Sequence, residues 1–152
     1  MTARLVFVYG TLKRGEPNHA SLTKSVSRFV GECCLVEKFP LVVASRYNIP
    51  FLLDRPGEGH RVQGEVYEVD AAGMEVLDEL EGHPQFYTRR EEKVEVAGGQ
   101  SISAWVYILS RYDHRLTETA SKWLEKYSST DCAHGRPYVV GENAETYEEL
   151  FS

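Results

Sequence analysis

Five consecutive apolar residues near the start of the chain, Leu5-Val6-Phe7-Val8-Tyr9, constrain its fold more than any other stretch. The run has the length of a strand and is rich in β-branched residues. With no polar residue alternating along it, such a strand is expected to be buried on both faces. It ends abruptly at Gly10, so Gly10-Thr11-Leu12-Lys13-Arg14-Gly15-Glu16-Pro17-Asn18 reads as a loop. A short helix over about residues 18–24 follows it.

Further strands are expected over residues 28–36 and 39–43, separated by Glu37 and Lys38. Phe39-Pro40 and Ile49-Pro50 fall inside apolar stretches, and proline cannot donate to a central ladder, so each marks an edge or a tight bend. Arg55-Pro56-Gly57-Glu58-Gly59 is a turn, and residues 62–69 are another strand. Asp70 is placed to cap a helix over residues 71–81 that Gly82 closes. Residues 87–96 and 101–109 then form a hairpin through Ala97-Gly98-Gly99-Gln100, whose glycines can supply positive φ. Thr117 can cap a last helix, with Ala120, Trp123, Leu124 and Tyr127 recurring at i, i+3, i+4 and i+7. Many strands with few short helices between them argue for an α+β fold: a small mixed-sheet β-barrel with short flanking helices.

At 152 residues and 42% hydrophobic content the chain suits one domain, residues 1–152, with a polar tail from about residue 128. Lys and Arg number 17 against 23 Asp and Glu, a net charge of −6, and no basic stripe is present, which argues against nucleic acid or an anionic membrane as partner. The start is too short to be a signal peptide and no apolar run approaches a membrane span, so the expected location is the cytosol. Cys33, Cys34 and Cys132 form no disulfide or zinc-ligand pattern and read as reduced, the first two packed in a strand. His19, His60, His83, His114 and His134 are scattered, with no pair at i, i+4. We assign no metal and no other cofactor, and expect a monomer.

The helix before Gly82 carries the first candidate site. With Met74 set at 0° on an ideal wheel, Leu77 falls at about 300°, Leu80 at about 240° and Val76 at about 200°, defining an apolar stripe. Glu81 falls at about 340°, on that stripe, whereas Glu75 and Glu79 face the other way at about 100° and 140°. Desolvation and the negative end of the helix dipole both raise the pKa of such a carboxyl, as an acid/base working near neutral pH requires. The alternative is a solvated helix end, formed by Asp78, Glu79 and Glu81 with a frayed last turn. In the second candidate site Gly10 lets the backbone approach a ligand, Thr11 offers a hydroxyl, and amide N–H groups can bind a carboxylate or oxyanion. The alternative there is a plain turn, with Lys13 and Arg14 solvated. Tyr9, Phe86, Tyr87, Trp105 and Tyr107 read as core before ligand wall.

Val6-Phe7-Val8-Tyr9-Gly10-Thr11-Leu12-Lys13-Arg14-Gly15 with Pro17-Asn18-His19 resembles the γ-glutamylcyclotransferase-like superfamily. Phe39-Pro40-Leu41-Val42, Tyr47-Asn48-Ile49-Pro50, Val62-Gln63-Gly64-Glu65-Val66-Tyr67 and Leu77-Asp78-Glu79-Leu80-Glu81 keep the order of that superfamily, so the likeness covers roughly residues 4–110. The resemblance implies a mixed barrel with flanking helices, Glu81 as the catalytic acid/base, and Tyr9, Gly10, Thr11 and Leu12 around the glutamyl end of the substrate. It also implies that γ-glutamyl amines such as ε-(γ-glutamyl)-lysine are converted to 5-oxoproline and the free amine. γ-Glutamyl amino acids or glutathione are the rival substrates, and a non-enzymatic module binding a small acidic metabolite is the rival class. Near the end the family's Arg-Tyr pair is expected, where this chain has Arg136-Pro137-Tyr138.

Overall fold

The apolar opening run is β1, Arg4–Val8, and it is covered on both faces as its composition demands. The computed structural model describes residues 4–10, 12–14, 16, 19, 26–44, 49–81, 83, 87–110, 112, 116, 118 and 120–127. After β1 come β2, Val26–Leu35, β3, Leu41–Ala44, β4, Ile49–Leu52, and β5, Gln63–Val69. The helix α1, Ala71–Leu80, precedes the hairpin strands β6, Tyr87–Val96, and β7, Ser101–Leu109.

Five strands close into a barrel in the order β1-β5-β2-β6-β7. The neighbours β1 and β5, β5 and β2, β2 and β6, and β6 and β7 pair antiparallel, and a parallel contact between β1 and β7 at Val6 and Trp105 completes the ring. The expected small mixed barrel is therefore present. Closure leaves β1 no free edge, and its alternate residues serve different cores. Val6 and Val8 pack in the cluster that contains Met74 and Leu77 of α1, while Phe7 and Tyr9 pack with Val66, Val106 and Ile108.

β3 and β4 form a separate two-stranded sheet, with Val43 opposite Pro50. Phe39, expected to start the strand, makes only an isolated bridge to His60. The hairpin loop uses positive φ at Gly98 and Gly99, as its sequence suggested, and the turn over residues 55–59 uses it at Gly57 and Gly59.

The expected last helix is overturned along residues 120–127. There the backbone runs beside β3: Ser121 N donates to the Val43 carbonyl at 2.9 Å and Leu124 N to the Leu41 carbonyl at 2.8 Å. Pairing with the open edge of β3 satisfies the groups that a helix would have satisfied internally. The apolar spacing misleads because Leu124 and Tyr127 are buried by this edge pairing while Trp123 stays 41% exposed. The expected helix over residues 18–24 and the tail from residue 128 lie outside the described residues, apart from His19.

Gly64, on β5, faces β1 so closely that a Cβ would lie 2.3 Å from the Val8 carbonyl oxygen and 2.7 Å from the Phe7 ring. Backbone of the neighbouring strand cannot yield as a flexible side chain can. Gly64→Ala is expected to lower stability by about 1–3 kcal/mol, as overpacking of a filled interior does. Urea unfolding at wild-type midpoint would contradict this close approach.

Candidate active site

Asp70 starts α1 by accepting the Gly73 N–H at 2.7 Å through its Oδ1, the N-cap role read from the sequence. Gly73, Met74 and Leu77 are buried, so one side of the helix faces the barrel. Val76, placed on the apolar stripe by the wheel, is instead 50% exposed. The buried arc is narrower than the apolar letters imply, because Gly73 occupies the contact beside Leu77 and Val76 lies beyond it.

The helix ends at Glu81, which is its C-cap with φ −88° and ψ −2°. Its N–H donates to the Leu77 carbonyl at 2.9 Å, and its own carbonyl accepts the Tyr87 N–H at 3.3 Å. His83 N donates to the Asp78 carbonyl at 2.9 Å, and Arg89 N donates to His83 Nδ1 at 3.2 Å. These bonds tie the last turn to the start of β6, so residues 78–81 are not frayed. Glu79 is exposed, whereas Asp78 and Glu81 are half-buried.

The Glu81 residue keeps part of its surface exposed, yet its carboxyl group is enclosed, and burial pushes that carboxyl up to about 7. A carboxyl group there exchanges its proton near neutral pH. Tyr9, directly after β1, and Tyr107 of β7 stand near it. Burial, first, and then electrostatic influences that include the Glu81 charge raise both phenols above their ordinary value. Their protons are committed elsewhere, because the acceptors fix the direction of each bond. The Tyr9 hydroxyl donates to the Tyr107 carbonyl at 2.9 Å, and the Tyr107 hydroxyl donates to Asp78 Oδ1 at 2.7 Å. Arg89 Nε donates to the same Asp78 oxygen at 2.7 Å, and its guanidinium lies 4.6 Å from the Trp105 ring centre.

Of the loop residues, Tyr9, Gly10 and Leu12 are described and Thr11 lies outside the described residues. Leu12 is buried in the cluster with Met74, Leu77 and Tyr107, which brings the loop onto the site's apolar floor. The Gly10 carbonyl accepts the Lys13 N–H at 3.1 Å, and His19 Nδ1 donates to the Leu12 carbonyl at 2.8 Å. A Cβ at Gly10 would lie 2.7 Å from Pro50 Cγ, so its small size serves a close approach to β4.

Lys13, expected in solvent, is only 5% exposed, with Nζ donating to the Tyr127 carbonyl. Burial lowers its pKa. Lys13, Arg14, Glu16, Glu32, Glu65 and Lys126 line a cavity of about 390 Å³, apart from Glu81. Its charges are largely engaged with protein: Glu65 accepts the Arg14 N–H and the Tyr67 hydroxyl, each at 2.9 Å. Cys33 is buried and burial pushes its thiol up to about 12, in keeping with the packing role read from the sequence. Cys132 lies outside the described residues, among which no three His, Cys, Asp or Glu side chains converge to hold a metal. No described helix is long and apolar enough to cross a membrane.

Asp78, Arg89 and the site-facing role of Tyr107 were not singled out by the sequence reading. The signal lay in the hairpin register, which sets Arg89 opposite Tyr107 and leaves Trp105 diagonal to it on the same face. That register becomes useful only once α1 is known to lie on that face.

The family described as γ-glutamyl cyclotransferase, AIG2-like, matches residues 6–126, beyond the 4–110 over which the likeness was first read. A Drosophila melanogaster protein, whose name assigns it provisionally to γ-glutamylcyclotransferase, is 47% identical over 141 residues, covering 91% of this chain and 86% of its own. A rat γ-glutamylaminecyclotransferase is 41% identical over 152 residues, 91% of this chain and 97% of its own. The crystal structure of a mouse AIG2-like protein superposes with a TM-score of 0.86 at 40% identity, covering 94% of this chain and 99% of that one. With the barrel, the Tyr9-to-Leu12 segment and the Glu81 helix end shared in one chain, this protein belongs to the γ-glutamyl cyclotransferase, AIG2-like family.

Proposed function

We propose that this chain is a cytosolic cyclotransferase that converts γ-glutamyl amines such as ε-(γ-glutamyl)-lysine to 5-oxoproline and the free amine. In that role it clears the crosslinks left when transglutaminase products are proteolysed. The observation that carries the reading is the enclosed Glu81 carboxyl, pushed up to about 7 by burial, with Tyr9 and Tyr107 near it. Names of the rat, mouse and cattle relatives support the γ-glutamyl amine as substrate. The Drosophila relative's name favours a second reading, in which γ-glutamyl amino acids are taken.

A γ-glutamyl amide contains its own nucleophile. Its α-amine attacks the γ-carbonyl carbon, the C–N bond of a five-membered lactam forms, and the bond to the leaving amine breaks. In this mechanism Glu81 takes a proton from the attacking amine and returns one to the departing nitrogen, so it ends as it began. A group whose pKa sits near the working pH suits both steps, and such catalysis contributes about 10²–10⁴-fold. The segment Tyr9, Gly10, Thr11 and Leu12 holds the glutamyl end in our reading. A folded, oriented substrate adds the larger share, since intramolecular reactions reach effective molarities of about 10⁵–10⁸ M.

Glu81→Gln keeps the side-chain shape and removes the proton exchange. Its release of 5-oxoproline from ε-(γ-glutamyl)-lysine is expected to fall by about 10²-fold or more with the fold intact. A folded Gln variant with near-normal turnover contradicts the role of Glu81, and a wild-type protein that releases no 5-oxoproline from any γ-glutamyl compound contradicts the function.

The same carboxyl makes stability depend on pH. Its folded value of about 7 lies above the ordinary 4.5, so the folded state holds the proton more tightly than the unfolded state. That contribution is complete below about pH 4.5 and is lost as pH rises through about 7. The melting temperature of Glu81→Gln relative to wild type is therefore expected to climb between pH 4.5 and 7 and then level off. A constant difference across that range would show that the carboxyl is not enclosed.

A further inference from the structure

We propose that Asp78 is a positioning residue for Glu81: it accepts the Tyr107 hydroxyl proton and an N–H of the Arg89 guanidinium, and so keeps the Tyr107 hydroxyl from donating to the Glu81 carboxyl. The proposal rests on the reading of Glu81 as the acid/base and extends it to the groups that set its protonation.

Asp78 precedes Glu81 by three residues, on the same side of α1. Its Oδ1 is the shared acceptor of two charge-assisted or short bonds, each 2.7 Å, from elements on the other side of the contact, Arg89 on β6 and Tyr107 on β7. Both ion-pair side chains are mostly buried, at 19% and 20% exposure, which separates this pair from the solvated pairs elsewhere on the surface. Arg89 is itself held over Trp105, so the cation is fixed from both sides.

A phenol has one proton. While Asp78 accepts it, Tyr107 has none to give to a neighbouring carboxylate. The second nearby phenol, Tyr9, donates to the Tyr107 carbonyl, and a third, Tyr87, donates to the Pro50 carbonyl at 3.4 Å. A hydrogen bond donated to the Glu81 carboxylate would favour its charged form and weaken it as a base. Among the described residues the groups around Glu81 are Asp78, with Glu79 turned to solvent, on its own helix, His83 after it, Tyr9 directly after β1, Tyr87 and Arg89 on β6, and Tyr107 on β7. Among these described residues Asp78 is the acceptor whose removal frees a phenol proton beside Glu81.

The test is the titration of the Glu81 carboxyl, followed by carbon NMR in folded protein, with thermal melts as control. Asp78→Ala removes the acceptor, and the Glu81 midpoint is expected to fall by about one unit. Adding Tyr107→Phe removes the freed proton, and the midpoint is expected to return part of the way, to the value set by the Arg89 cation left without its counter-charge. Asp78→Asn keeps an acceptor oxygen but also leaves that cation unpaired, so its midpoint is expected to fall less than that of Asp78→Ala, with the rate of 5-oxoproline release from ε-(γ-glutamyl)-lysine partly rescued relative to Asp78→Ala. A midpoint unmoved in Asp78→Ala, an equal fall in Asp78→Asn, or a fall that persists in full with Tyr107→Phe would each overturn the proposal. If Asp78→Ala does not fold, Tyr107→Phe alone decides it: its midpoint is expected near wild type because Asp78 holds the proton that the substitution removes, and a rise, which would show that the hydroxyl already donates to Glu81, overturns the proposal. Because the titration needs no turnover, absence of activity in wild type would count against the proposed reaction and leave this result to stand separately.

Discussion

The structure turns on the closure of the barrel by β1. This strand pairs antiparallel with β5 and makes the parallel contact with β7, so an all-apolar run finds partners at both edges and cover on both faces. Everything at the site follows from where that strand ends. Its last contacts deliver Tyr9 to the carbonyl of Tyr107 and throw the chain into the Gly10 turn, whose Leu12 joins the same core as α1. Gly64 is the condition for this arrangement, since only a residue without Cβ lets β5 lie so near the Val8 carbonyl.

The second constraint is electrostatic. A helix end presents carbonyls, and an acidic residue there is disfavoured twice when it is also taken out of water. Here that cost is carried by a firm mechanical frame: Glu81 bonds to Tyr87 through its backbone, and Asp78 anchors the turn before it to both hairpin strands. The frame leaves the carboxyl in place with the phenol protons engaged elsewhere. Such a group is poorly suited to stabilising a fold and well suited to moving protons, in line with the tendency of strained or desolvated groups to gather at functional sites.

Much of this was legible in the sequence because it rests on local rules. The hairpin bounds, the Asp70 cap and the inward direction of Glu81 follow from alternation, capping chemistry and helical period, each decided within a few residues. What failed was decided at long range. Residues 120–127 carry a helical spacing, yet β3 offers them an unpaired edge from some eighty positions earlier, and no local signal announces that partner. Lys13 looked solvated because its neighbours in sequence are polar, while its true neighbour is the Tyr127 carbonyl. Asp78 read only as part of a solvated helix end for a related reason: its partners become visible only when the register of β6 and β7 is laid against α1.

The central proposal is that the enclosed carboxyl of Glu81 moves protons during turnover. The pH dependence of kcat/KM for ε-(γ-glutamyl)-lysine reads it most directly, because it reports ionisations in the free enzyme and free substrate. A group with the Glu81 environment predicts an acid limb with its midpoint near 7, well below the ionisation of the substrate's α-amine, which its free α-carboxylate keeps high. A profile governed by the amine alone, with no break near 7, would contradict it.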